Sequence, residues 1–348
     1  MRKVLRVIGT IAVTGMLAAG AAACGGGSGA PDSSGANSLV LYNGQHLQTT
    51  QALVSAFERQ TGITVTVRND DEDVLAQQII QEGSRSPADV FYTENSPALM
   101  ELQGKDLLAK VDTATLGAVP SGDSSPAGDW VGVTARVSAL VYNTGDLKPS
   151  QLPTSVMDLA NPKWAGKLAI APGETDFQPI ITSIADTYGT AAALTWLKAV
   201  KANAGSHVYP DNETITSEVN AGQVEIGLIN HYYWYRLRSQ LGAGAMHSAL
   251  AYFAPGDPGY VLNVSGAGIL ASSKHQAAAQ KFLAFLVSAA GQKIISQTDS
   301  FEYPIRPGIA ANPQLAPLSS LHPDPADTIA KLGDGALALQ LLQQAQLG

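Results

Sequence analysis

One cysteine in 348 residues, Cys24, rules out an internal disulfide, thiolate catalysis and any cysteine-rich metal site. Basic residues are also scarce: 21 Lys and Arg stand against 29 Asp and Glu. Three of the basic ones, Arg2, Lys3 and Arg6, precede Cys24, so the chain beyond it carries a formal charge near −11. That balance argues against nucleic acid or an anionic membrane surface as partner, and is compatible with capture of a cation. No Gly-x-Ser-x-Gly elbow and no His-Glu-x-x-His motif occurs, which leaves little support for a secreted hydrolase. After residue 23 there is no transmembrane run, no internal repeat and no heptad pattern.

What the chain has begins at its start. A basic n-region followed by the Ala/Gly-rich apolar run Val7 to Ala23 has the form of a secretory signal peptide (1–23). Ala21-Ala22-Ala23-Cys24 matches a bacterial lipobox, with Ala where Leu is usual three places before the cysteine, so Cys24 is the expected lipidation site. Residues Gly25 to Asn37 are nearly all small or polar and read as a tether between lipid and body (24–37). The remaining 310 or so residues exceed what one core usually organises, and two lobes are expected.

Leu39 to Tyr42, Ile63 to Val67 and Ala88 to Tyr92 read as strands separated by helices over Thr50 to Thr61 and Asp73 to Glu82, a βαβαβ rhythm of an α/β fold. Further on, Trp164 to Ala171 and Ser206 to Tyr209 read as strands flanking a helix over Ala191 to Ala204. Val224 to Ile229 is another, and a helix follows over Tyr235 to Leu241. Two long extended segments, Gly132 to Tyr142 and Gly259 to Leu270, suit hinge strands crossing between lobes. Helices over Ala277 to Val287 and Gly291 to Thr298 and a last one near Ala326 to Gln343 complete the reading. The expected division is 38–138 with 263–313 for the first lobe and 139–262 with 314–348 for the second.

Three features fall just past strand ends, where open α/β sheets bind ligands. His46 leaves the turn Asn43-Gly44-Gln45, Glu94 follows the strand ending at Tyr92, and His231-Tyr232-Tyr233-Trp234-Tyr235 follows the strand ending at Ile229. Helical neighbours point about 100° apart, so four consecutive aromatics cannot all face one core. Paired phenols at a cleft suggest a stacking platform for an organic ligand or hard oxygen donors for a highly charged metal such as Fe³⁺. Singly, His46 and Glu94 read as a surface histidine and a helix-dipole carboxylate.

Taken in order, Leu41-Tyr42-Asn43-Gly44-Gln45-His46, the run Glu82 to Glu94 and Ile229-Asn230-His231-Tyr232-Tyr233-Trp234 closely resemble the bacterial ferric-ion-binding proteins, the solute receptors of iron(III) ABC importers. The resemblance implies a two-lobed periplasmic-binding-protein-like fold (type II, transferrin-like), each lobe a mixed sheet flanked by helices. It implies Fe³⁺ as transported ligand, held by His46, Glu94, Tyr232 and Tyr233, with no catalysis. It also implies a synergistic anion such as carbonate, phosphate or citrate near Asn212, Asn230 and Thr175. The expected partners are a membrane permease and, through it, a cytoplasmic ATPase, the receptor itself being a monomer. The chemistry agrees, because hard cations prefer oxygen donors and a bound cation deprotonates its ligands far below their free values. The anion loop departs from the family pattern: Ala171-Pro172-Gly173-Glu174-Thr175-Asp176 adds two carboxylates that would repel phosphate by about 1 kcal/mol or more each. Capping of the helix after Pro179 is the expected role of Glu174 and Asp176, with contact to a solvated metal as the alternative. A two-lobed receptor stacking a sugar or polyamine on Tyr232, Tyr233 and Trp234 is the competing function.

Overall fold

The computed structural model describes residues 37–325 and 329–348; the signal peptide, Cys24 and nearly all of the tether lie outside them. Three strands open the body, β1 (Ser38–Asn43), β2 (Thr64–Asn69) and β3 (Val90–Thr93), with β1 parallel to both others. Helix α1 (Leu47–Thr61) makes the first crossover, burying Leu53, Val54 and Phe57, and ends at Gly62 with φ 69°, whose N–H caps the carbonyl of Glu58. The second crossover is α2 (Glu72–Glu82), and α3 (Ser96–Gly104) and the single turn α4 (Thr113–Leu116) follow β3.

β4 (Trp130–Asn143) is the element on which the architecture turns. All 14 of its residues are buried, as a run rich in Val, Ala and Leu covered on both faces requires. Its first part, Trp130 to Val137, pairs antiparallel with β8 (Leu262–Ile269), which in turn pairs with β3. From Ser138 onward it pairs instead with β6 (Ile226–Asn230) and β7 (Ser248–Ala251). The strand thus belongs to two sheets, as a crossing strand must. The full order is β2-β1-β3-β8-β4-β6-β5, where β5 is Leu168–Ala169, with β7 and β9 (Tyr303–Pro304) also on β4.

Around the β6 end pack α5 (Gln178–Tyr188), α6 (Thr190–Ala204), α7 (Asn212–Asn220) and α8 (His231–Leu241). Phe177 stacks on Trp196 there, with centroids 6.0 Å apart. β6 needs Gly227, since a Cβ at that point would lie 2.2 Å from Cγ2 of Ile215 on α7. On the β1 side, α9 (Gln276–Leu286) and α10 (Ala289–Gln297) cover the sheet, and Phe57 meets Phe282 edge-on at 5.0 Å. Each such buried Phe contributes about 1.5–3 kcal/mol.

The departures from expectation have local causes. Of the strand expected over Trp164 to Ala171 only Leu168–Ala169 forms, and Ser206 to Tyr209 contributes one bridge, Val208 to Ile170, at an edge where Val208 is exposed. The last helix is split into α11 (Ile329–Leu332) and α12 (Ala336–Ala345), because Gly333 and Gly335 take positive φ between them. α8 begins at His231, four residues earlier than its apolar spacing suggests, which puts both tyrosines in its first turn. No helix among the described residues is long and apolar enough to cross a membrane.

Candidate metal centre

His46 stands just before α1, at the end of the turn from β1. That turn is clamped from three sides: Gly44 N–H donates to the Tyr92 carbonyl at 2.8 Å, Asn43 Nδ2 donates to the Gln45 carbonyl, and Thr50 Oγ1 donates to Asn43 Oδ1. Only glycine fits at 44, where a Cβ would lie 2.6 Å from the Glu72 Cβ. Glu94 follows β3, and its own N–H and that of Asn95 donate to Glu72 Oε2 at 2.7 and 2.9 Å. Burial, reinforced by the charges of Asp73 and Glu94, pushes the Glu72 carboxyl up to about 8.

The structure brings the four expected donors together, and adds a fifth. His46 Nδ1 lies 2.8 Å from Glu94 Oε1, and Tyr232 Oη donates to Glu94 Oε2 at 3.3 Å. Both phenols donate to a single oxygen, Asp176 Oδ2, at 2.9 Å from Tyr232 and 3.0 Å from Tyr233. Their rings sit 4.2 Å apart. His46 Nε2 is buried without a hydrogen-bond partner, 3.6 Å from Glu302 Oε1. Among the described residues, His, Cys, Asp and Glu side chains alone make no metal-binding cluster, so a metal here depends on phenolic oxygen.

The electrostatics follow from that packing. Burial, then the charges of Asp176 and Glu94, hold both phenols well above 10. For Glu94, burial raises the carboxyl, but the charge and hydrogen bond of His46, then Arg136 and Arg236, outweigh it and lower it to about 2. His46 shows the converse: burial lowers it, and the charge and hydrogen bond of Glu94 with help from Glu302 bring it above 6.5. In this cleft the phenols keep their protons across the neutral range and Glu94 is ionised, while His46 holds its proton to higher pH than a free imidazole does.

Asp176 corrects the helix-capping expectation. It lies in the 3-10 turn Thr175–Phe177 before α5, makes no cap bond, and turns to the phenols and to Asn95, whose Nδ2 reaches its Oδ1 at 3.0 Å. Asn95 also donates to Thr175 Oγ1 at 2.9 Å, which ties Thr175 to the site through the amide. Asn230 lines a small polar gap of about 10 Å³ with Asn95, Ser138, Asp176 and Asn263, room for roughly one water. Asn212 opens α7 and is buried, and among the described residues its side chain makes no hydrogen bond to the donors; its carbonyl accepts from Thr216 Oγ1. Trp234 turns away, its Nε1 donating to Ser248, so the three-ring stacking platform of the organic-solute reading does not form.

A cavity of about 350 Å³ opens onto the site, lined by Asp71, Asp73, Glu174, Glu213 and Tyr233 among others. Burial and then the charges of Asp176 and Glu213 push Glu174 up to about 9. Arg236 is paired with Glu213 at 3.0 Å. Residues that sequence reasoning missed are Glu72, Asn95, Arg136 and Glu302. Arg136 carried a signal, as the one charge in an otherwise uncharged β4.

A cleft between two sheets joined by crossing strands, floored by convergent donors, defines the class of two-lobed solute receptors. The chain belongs to the bacterial extracellular solute-binding proteins, whose family pattern matches residues 43–293. It is 42% identical over 299 residues to an Fe(3+)-binding periplasmic protein of Serratia marcescens, covering 86% of this chain and 88% of that one. It is 36% identical over 310 residues to the major ferric iron-binding protein of Neisseria meningitidis, covering 88% and 92%. Iron-bound HitA from Pseudomonas aeruginosa superposes with a TM-score of 0.84 at 42% identity over 88% of this chain and 99% of that chain. A Trichodesmium protein solved with iron and citrate ligands superposes at 0.77 with 29% identity, over 89% and 100%.

Proposed function

We propose that this protein captures ferric iron in its interlobe cleft outside the cytoplasm and delivers it to an ABC importer, whose permease and ATPase are its partners. The observation that carries the reading is the meeting of one imidazole, two carboxylates and two phenols within hydrogen-bond distance of one another in a buried cleft. His46 and Glu94 bind from the first lobe (38–138 with 263–313), Tyr232 and Tyr233 from the second (139–262 with 314–348). Asp176 is the fifth donor, at the place where related receptors would use an exogenous anion. That leaves one position of an octahedral shell for water or a small anion such as carbonate, phosphate or citrate. Hard oxygen donors in this number suit Fe³⁺ and not a soft ion. Nothing in the site calls for a covalent reaction; the relatives carry iron-binding names. Cys24 serves as a lipid anchor, the diacyl group giving the two chains that stable attachment needs.

The test is the visible spectrum of the mature protein titrated with Fe³⁺ citrate near neutral pH, beside Tyr232→Phe and Tyr233→Phe. A tyrosinate-to-iron charge-transfer band saturating at about one equivalent, and shifted or lost in both variants, is expected. Absence of a band and of thermal stabilisation by iron would sink the ferric reading.

A further inference from the structure

Arg136 is the most completely buried charged side chain near the donors, with no exposed surface, in the part of β4 that pairs with β8 opposite Asn263. Its partner is Glu302, itself buried, which Nη2 contacts directly. Glu302 is fixed by more than this pair. Thr134 Oγ1 and Gln45 Nε2 donate to it, and the strand that follows, β9, docks on β4 at Thr134 and Ala135. The other side of the guanidinium faces the donor cluster. Its Cζ stands 5.6 Å from the centroid of the Tyr232 ring, over the face, and Nη1 is 4.0 Å from Glu94 Oε2. Nε and Nη1 are buried with no hydrogen-bond partner. A structural ion pair needs only the Glu302 side. A guanidinium over a phenol ring, with its unpartnered Nη1 beside a carboxylate, points to a use on the other side.

We infer that Arg136 is a positioning residue of the metal centre, a fixed cation held by Glu302 against the Tyr232 ring and beside Glu94 that orients these two donors and sets the electronic character of the iron they bind. This rests on the ferric reading above. A cation over an aromatic face is attracted to it, and more strongly when the ring carries phenolate charge. Lowering the energy of the phenolate electrons moves the tyrosinate-to-iron transition to shorter wavelength. The same fixed positive charge disfavours Fe³⁺ relative to Fe²⁺, easing reduction and hence release. Charged groups one layer out from a metal orient and tune its ligands in this way.

The experiment compares the wild-type protein, Arg136→Met, Arg136→Lys and the double variant Arg136→Met/Glu302→Gln, the last removing the pair as a unit in case the single change strands Glu302 and prevents folding. Each is loaded with Fe³⁺, its spectrum recorded, and the ratio of ferric to ferrous affinity measured by spectroelectrochemistry. The expected result in Arg136→Met is a band moved to longer wavelength and a ratio raised about tenfold, equal to about 59 mV for one electron; the double variant keeps the band shift, which depends on the cation 5.6 Å from the Tyr232 ring, while its ratio moves less because the Glu302 charge leaves with it. Arg136→Lys, which keeps the charge, returns the ratio toward wild type. A double variant that folds and matches wild type in band would show a purely structural pair and overturn the inference alone. No band in the wild-type protein overturns the ferric reading first, and this inference with it.

Discussion

Replacing Tyr233 with Phe removes one ionisable oxygen from the cleft while keeping the ring against Tyr232, and its consequence can be counted in protons. Both phenols are held well above 10 by burial and by the charges of Asp176 and Glu94, so in the metal-free cleft each carries its proton across the neutral range. Coordination to Fe³⁺ removes those protons, and each proton released makes log K rise by about one per pH unit, or about 1.4 kcal/mol. His46, raised above 6.5 by Glu94 despite its burial, adds a third proton to the exchange below its own raised value and none above it. Affinity therefore falls with falling pH, and more steeply on the acid side. Glu94, lowered to about 2, stays ionised throughout and contributes nothing to this slope. Competition against one chelator from pH 6 to 8, run on wild type and Tyr233→Phe, cancels the chelator's own protons. The wild-type advantage is expected to grow about 100-fold across those two units. Parallel lines would refute the reasoning, because they would mean that Tyr233 is not deprotonated on binding.

Asp176→Asn keeps the shape of the loop but not its charge, and is expected to weaken iron binding by at least about a hundredfold in anion-free buffer, more than the 10–100-fold typical of groups one layer out. Added carbonate or phosphate should recover part of that loss in the variant and little in wild type, as isothermal competition would show. Gly44→Ala drives a Cβ into Glu72 at 2.6 Å and should cost about 1–3 kcal/mol in denaturant melts while displacing His46, so that stability and iron affinity fall together. Asn95→Ala removes the amide that joins Glu72, Thr175 and Asp176. Stopped-flow transfer to a chelator should then show iron leaving about tenfold faster, since the lost hydrogen bond to the Asp176 carboxylate is worth roughly 1.5–3 kcal/mol.

The placement of His46 and Glu94 was legible because strand endings are: short apolar runs closed by Gly44 and by Asn95-Ser96-Pro97 place both on one rim, and the structure joins them at 2.8 Å. That at least one phenol must leave the core was legible from the impossibility of packing four neighbouring aromatics on one face; that Tyr232 and Tyr233 are the pair came only from the family resemblance. Trp234 found Ser248, Tyr235 stacked on Phe301, and the two remaining rings met Asp176. Asp176 itself was misread because an acidic residue before a helix ordinarily caps it. Nothing local distinguishes a carboxylate aimed at the helix from one aimed across a cleft at residues more than fifty positions away. Glu72 was hidden by the same ambiguity, opening α2 among Asp71 and Asp73 like any dipole-compensating acid. Glu302 had no signal at all, since its environment is built by strand pairing 166 positions from Arg136. The strand over Ser206 to Tyr209 failed for the opposite reason: its residues suit a strand, but only Ile170 offers it a partner.

The way protons are held in the cleft also bears on which ions it accepts. His46 shares one with Glu94, and the two phenols place theirs on one oxygen of Asp176. Below the raised value of His46, exchanging these three protons for one trivalent ion leaves the charge of the cleft unchanged. A divalent ion that displaced the same three would leave one extra negative charge among groups of which Tyr232, Tyr233 and Asp176 are buried and His46 and Glu94 largely so, and an uncompensated buried charge costs several kcal/mol. Keeping one phenol protonated avoids that charge, but at the loss of one of the five donors. Either route penalises Zn²⁺ or Mn²⁺ by several powers of ten relative to Fe³⁺ on charge alone, before any preference of the donors is considered. A millimolar excess of either ion should therefore leave the iron titration unmoved, and displacement of iron by Zn²⁺ at comparable concentration would show that the cleft does not balance its charge in this way.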